Sequence, residues 1–268
     1  MSRRQNVFRI GARGRPLTPN SWEIGLVDTY DNPHQTWGAA PGAVVNATVD
    51  ERTSFIRRTY LTLTGAVLAC AGLDALLLST PLAQDLVQLM VGGRWSWLIV
   101  VGAFVGISYL ATAWATSGAS STKQYLGLSL YVVCEALILL PLLYIAQQVS
   151  PQSIPAAGLL TVLVFGGLTA IVFMSKADFT FLGPALGIAG LVAIGVCVCS
   201  ALFGFSLGVL FSGCMVALAS GYILYETSAM LHQFRVDQHV AAALALFASV
   251  AMLFFYFLRL MMQLQSRD

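Results

Sequence analysis

The chain has 268 residues, of which 57% are hydrophobic and only 10% charged, with a mean hydropathy of +0.78 and a net charge of +2. A soluble domain of ordinary composition is about 25% charged, and no water-soluble fold of this size can hide so much apolar surface. These figures exclude a soluble enzyme, a disordered protein and a disulfide-stapled secreted module, and so small a net charge argues for no nucleic acid partner.

Residues 1–59 form a polar tail with Pro16, Pro19, Pro33 and Pro41 and no apolar run, so no cleavable secretory signal is expected. Eight of the fourteen Lys and Arg fall before residue 59, five of them at Arg3, Arg4, Arg9, Arg13 and Arg15, with no acid before Glu23. Such a stretch suits a cytoplasmic tail under the positive-inside rule; it also has the character of a mitochondrial transit peptide.

From residue 60 the chain becomes a series of apolar segments of about 20 residues, each long enough to cross a hydrocarbon core of about 30 Å. The pattern predicts spans at 60–80, 95–116, 125–147, 156–174, 180–202, 207–230 and 239–264. Lipid offers no partner to a backbone amide, so each span is a helix, and the fold class is an all-α bundle of seven transmembrane helices. With the amino terminus inside, the inner side holds eleven Lys and Arg (the eight of the tail with Lys123, Lys176 and Arg235), against Arg94, Arg259 and Arg267 outside. That places the amino terminus on the cytoplasmic or matrix side and the carboxyl terminus opposite. Small residues four apart (Gly102 and Gly106, Gly183 and Gly187, Gly204 and Gly208) are expected to let helices approach closely. The five cysteines lie in apolar runs at irregular spacing, which suggests small buried side chains. Cys197 and Cys199, two apart on a helix, point away from each other and cannot clasp one ion.

Charges within the spans are costly and usually face the bundle interior or a watery cavity. Glu135 lies ten residues into its predicted helix, about 15 Å by helical rise and close to the midplane. Asp74 sits about two-thirds across the first span, near enough to the end to snorkel outward. Glu226 approaches the inner end of the sixth span, and Asp178 lies in the inner loop beside Lys176, where water and Lys176 or Arg235 would satisfy both acids. Arg259 is expected to snorkel to the outer interface. His232, Asp237 and His239 share one inner turn at a spacing that matches no standard metal site, and a solvated loop explains them better. No phosphate loop, zinc-protease motif or activated nucleophile occurs, so the reading is of a protein that is not an enzyme and uses no cofactor.

Three stretches then suggest a family. Met174-Ser175-Lys176-Ala177-Asp178-Phe179-Thr180-Phe181-Leu182-Gly183, Ser220-Gly221-Tyr222-Ile223-Leu224-Tyr225-Glu226-Thr227-Ser228 and Ala242-Ala243-Leu244-Ala245-Leu246-Phe247-Ala248-Ser249 resemble, in order, three motifs of the Bax inhibitor family. Glu135 with Pro141 is similar to a further segment of bacterial members. The resemblance runs over about residues 55–264, so the chain divides into a tail, 1–59, and a membrane domain, 60–268. It implies six helices around the hydrophobic last one and a pH-sensitive calcium leak, closed when two aspartates share a proton with help from an arginine. One of those positions falls on Glu226 and the other on Ser249, which cannot ionise. The inner end of the second span reads Ala113-Trp114-Ala115-Thr116-Ser117, without the arginine.

Two functions follow as expectations. In one the protein is a leak or ion-homeostasis factor with Glu226 and Ser249 as a modified gate and pH sensor, Glu135 along the path, and calcium ions as the cargo. In the other it is a non-transporting accessory subunit of a larger membrane complex that contacts the tail. Its setting in either case is a lipid bilayer, the bacterial cytoplasmic membrane or the mitochondrial inner membrane.

Overall fold

A computed structural model describes residues 43–116, 121–175 and 177–265, which are helix and connecting turn apart from one isolated bridge between Ala43 and Arg235. The helices are α1 (Val49–Leu78), α2 (Leu82–Val91), α3 (Arg94–Thr116), α4 (Ser121–Val149), α5 (Ser153–Ser175), α6 (Gly183–Phe203), α7 (Val209–His232) and α8 (His239–Gln265). Single 3-10 turns at Val44–Asn46 and Thr180–Leu182 precede α1 and α6. All but α2 are long and apolar enough to cross a membrane, and the protein is polytopic.

Two features differ from the expectation. The first helix begins at Val49, eleven residues before the predicted 60, because its opening turn is polar and hydropathy does not register it. Local chemistry sets that start: Thr48 accepts from the Glu51 amide at 3.4 Å while the Glu51 carboxylate accepts from the Thr48 amide at 3.1 Å, a capping box. The stretch 82–91, expected to be loop, forms α2, which is too short to span. It lays Ala83 and Val87 against Leu140 of α4, with Leu77, Leu78 and Tyr144 around them.

The last helix is central, packing against α1, α3, α4, α5 and α7. It shares the centre with α4, whose buried residues run from Gln124 to Ala146 and which continues as helix through Pro141. Helix α6 does not reach α8; it lies at the edge, on α7 and α3, so five of the six other spanning helices touch the last one.

The close approaches fall at glycines other than most of those expected. A Cβ on Gly127 would sit 2.6 Å from the Ala111 carbonyl oxygen and 3.1 Å from the Ala115 amide nitrogen, so α4 and α3 meet backbone to backbone there. Along α6 and α7 the contact is side chain into gap: Tyr225 over Gly183, Tyr222 over Gly190, and Leu186 over Gly221. Around Gly102, Gly106, Gly187, Gly204 and Gly208 a Cβ would meet nothing within 4 Å. Spacing marks a helix face as smooth, but only packing decides whether a neighbour lies on it. The cysteines divide in the same way, with Cys70 and Cys134 buried but Cys199 and Cys214 on outward faces.

Gly127→Ala is therefore expected to destabilise the bundle by about 1–3 kcal/mol, the usual cost of overpacking, in thermal unfolding of the detergent-solubilised protein. Gly102→Ala, on an open face, should leave the unfolding midpoint unchanged or raised.

Candidate functional site

The buried residues of α1 run Phe55, Thr59, Leu63, Ala66, Cys70 and Asp74. Steps of three and four keep one face of a helix in line, so Asp74 continues the stripe that packs inward. It does not snorkel outward: it is 5% exposed, its Oδ2 accepts from the Cys70 thiol at 3.8 Å, and its Oδ1 is buried without a partner. Glu135, 7% exposed, comes from α4, which packs along α1. The two carboxyls are close enough to feel each other's charge, and Cys70 feels both. One turn from Glu135 lies Tyr131, its ring between Phe104 of α3 and Phe247 of α8, with centroids 6.0 and 5.9 Å away. The sequence separates Asp74 and Glu135 by two helices, and nothing in it couples them.

Glu226 is half-buried on α7, electrostatically close to the Tyr222 and Tyr225 hydroxyls. Tyr222 itself donates to the Leu186 carbonyl of α6 at 2.9 Å. Ser249 is buried on α8 and its hydroxyl donates to the Ala245 carbonyl of its own helix at 3.3 Å. No hydrogen bond joins Glu226 to Ser249 among the described residues.

Lys176 lies outside the described residues, and Arg235 pairs with Asp237 at 3.3 Å, not with Asp178. Its Oδ1 accepts from the Thr180 amide at 2.9 Å and from the Ser228 hydroxyl at 3.1 Å, with His232 Nδ1 at 3.9 Å. The Phe179 amide also donates to Ser228 Oγ, at 2.9 Å, so the α5–α6 connection is clamped onto the end of α7. Burial pushes the Asp178 carboxyl up, but the hydrogen bonds from Thr180 and Ser228 and the neighbouring His232 outweigh it and hold the group below its ordinary range. The three residues that share the inner turn go separate ways: His232 to Asp178, Asp237 to Arg235, and His239 to the Tyr125 hydroxyl at 3.2 Å. At the other end of the bundle Arg259 is a clamp, its guanidinium donating to the Leu207 carbonyl at 3.1 Å beside Gln263 at 2.9 Å.

The three motif segments that meet here, the α5–α6 connection, the end of α7 and the start of α8, lie within residues 52–266, which match the family model "Inhibitor of apoptosis-promoting Bax1". The chain belongs to the Bax inhibitor family. It is 25% identical to Bax inhibitor 1 of Schizosaccharomyces pombe over 223 residues, covering 81% of this chain and 79% of that one. An uncharacterised protein of Campylobacter jejuni is 28% identical over 231 residues, 83% of this chain and 94% of its own length. Protein lifeguard 4 of Mus musculus is 32% identical over 105 residues, 38% of this chain and 44% of the mouse protein, so the match spans less than half of that relative.

Within this Bax inhibitor frame, sequence reading missed the segment that leads into α1. The Val44 amide donates to the Phe234 carbonyl at 3.1 Å, Ala43 bridges Arg235 in antiparallel fashion, and both Ala43 and Val44 are fully buried. Val44-Val45 is too short an apolar signal to stand out in a polar tail.

For the clamp, Asp178→Asn is expected to speed amide hydrogen exchange across residues 177–182. A carboxyl whose value is lowered by folding stabilises above its unfolded value and loses that contribution as pH falls through the folded one. The difference between wild type and variant should accordingly begin to shrink as pH falls through about 4, where the free carboxyl takes up its proton, and vanish only below the lower folded value.

Proposed function

We propose that this Bax inhibitor family protein is a proton-sensitive cation leak, with Glu226 as the titrating carboxylate and calcium as the ion the family resemblance implies. The observation that carries this reading is Glu226 itself: a half-buried acid on a spanning helix, with no ion pair or hydrogen bond to a described residue. A charge at membrane depth costs about 3 kcal/mol on insertion scales, and a structural acid offsets that cost with a fixed partner. An acid with residual exposure and no fixed partner is suited to meet a proton or a passing cation. Because Ser249 carries no carboxyl, Glu226 titrates without a second acid at the family's partner position. The reading places the amino terminus on the cytoplasmic or matrix side, following the charge asymmetry of the sequence.

A second reading, a non-conducting subunit in a larger assembly, is favoured by the docking of Ala43 and Val44 on the α7–α8 turn. That contact fixes the root of the tail to the bundle, from which the preceding residues would reach a partner.

Calcium flux into proteoliposomes separates the two. For the leak, wild-type flux should change between about pH 6 and about pH 8, by at most about tenfold per unit for one proton, and Glu226→Gln should abolish that dependence. Absence of flux from folded wild type at both values would leave the subunit reading standing.

A further inference from the structure

We propose that residues 43–46 are a releasable strap through which the chain before α1 acts on α7, the helix that carries Glu226. Direct contacts define its seat. The Val44 amide donates to the Phe234 carbonyl at 3.1 Å, and Ala43 lies opposite Arg235 as an antiparallel bridge. The Val44 side chain is wholly buried in the apolar core that holds Phe55, Met230, Leu231 and Val240, with Phe234 and Val236 packed against that core. The path from this seat to α1 is continuous. The Asn46 amide donates to the Ala43 carbonyl at 2.9 Å, the Ala47 amide to the Val44 carbonyl at 3.1 Å, and Thr48 then caps α1.

Position turns this contact into a coupling. The turn Val44–Asn46 packs on both α1 and α7, while among the described residues α1 and α7 do not pack on each other. The strap therefore joins two helices that have no interface of their own. Its grip falls on Phe234 and Arg235, just past the end of α7 at His232, and Glu226 lies six residues before His232, about 9 Å by helical rise. A second hold on the same end is the α5–α6 connection, where Asp178 and Phe179 meet Ser228. Few interactions keep the strap closed, and that is what lets it release. Among the described residues one hydrogen bond and one apolar side chain larger than a methyl group, Val44, hold it to the α7–α8 turn. Asn46 Oδ1 is buried without a hydrogen bond, which weakens the closed state. Val45, Asn46 and Ala47 are part-exposed, and Thr48 and Val49 are exposed. Segments with so little burial open at a free energy well below that of global unfolding.

Ala43 and Arg235 flank the Val44–Phe234 hydrogen bond as a directly opposed pair, a spacing that a disulfide spans. The test is amide hydrogen exchange across residues 226–236 in the full chain, comparing wild type, Val44→Asp, and Ala43→Cys/Arg235→Cys in its oxidised and reduced forms. Mass spectrometry of the joined peptides confirms the cross-link. Val44→Asp should speed exchange there about tenfold or more and leave α4 unchanged, and oxidation of the double variant should slow it about tenfold against the reduced form. The proposal is overturned if folded Val44→Asp exchanges as wild type does, or if the cross-link does not form. It is equally overturned if locking leaves exchange unchanged, the mark of a contact that never opens. Should Val44→Asp fail to fold, judged by far-ultraviolet circular dichroism, the oxidised and reduced forms decide alone. Calcium flux has no part in the readout, so the strap and the leak can fail independently.

Discussion

Hydrocarbon offers neither a backbone amide nor a carboxylate anything to bond to, and the rest of this structure follows from that constraint. Each crossing closes its own hydrogen bonds as a helix, and the outward faces of α5 and α6 carry Leu, Ile, Val and Phe without penalty. Association between such helices gains nothing from expelling water, so it rests on close packing and a few polar contacts. The contact of Gly127 with the Ala111 carbonyl and the seating of Tyr222 over Gly190 are where that packing is tightest. Two helices, α4 and α8, are the most deeply buried of the spans, although Tyr125, Leu126, Val133 and Ile145 of α4 remain exposed.

The acids show how the constraint sorts charge by position. Asp178 lies past the end of α5 and collects Thr180, Ser228 and His232 around it, so it is an ordinary fixed carboxylate at the surface. Its work is mechanical: it ties the α5–α6 connection to α7, the helix that carries Glu226. Glu226, Asp74 and Glu135 lie within the spans and lack such a shell. A carboxyl there has to find a neighbour, a proton or an ion, and that shortage of fixed partners is what makes these three the chemically interesting groups. The segment Ala43–Val44 adds a mechanical link at the same end of the bundle, tying the start of the described chain to the turn between α7 and α8.

Much of the fold was legible in the residues because hydropathy over a 20-residue window reports directly on lipid exposure. Seven crossings, their order and the central last helix followed from that and from the family resemblance. Helix α2 was missed because ten residues cannot span, and the opening turns of α1 were missed because Asp50, Glu51 and Arg52 make them polar. The capping pair Thr48 and Glu51 was the available signal for the true start. For the site, the place of Glu135 well inside its helix could be read from spacing, and the motif position of Glu226 from the family resemblance. The inward aim of Asp74 was also recoverable, since Phe55, Thr59, Leu63, Ala66, Cys70 and Asp74 keep a helical step.

The sequence by itself determined that this is a polytopic helical membrane protein with acids in its spans, because composition, segment length and charge placement are properties of the chain in one dimension. Only the tertiary structure decided that Asp74 and Glu135 are both buried, that Ser249 turns to its own helix without bonding Glu226, and that Gly127 is a contact while Gly102 is not. Those facts depend on which helices are neighbours and at what offset along their axes. Neighbours are chosen by side-chain fit across residues far apart in the chain, and periodicity within one helix carries no record of it.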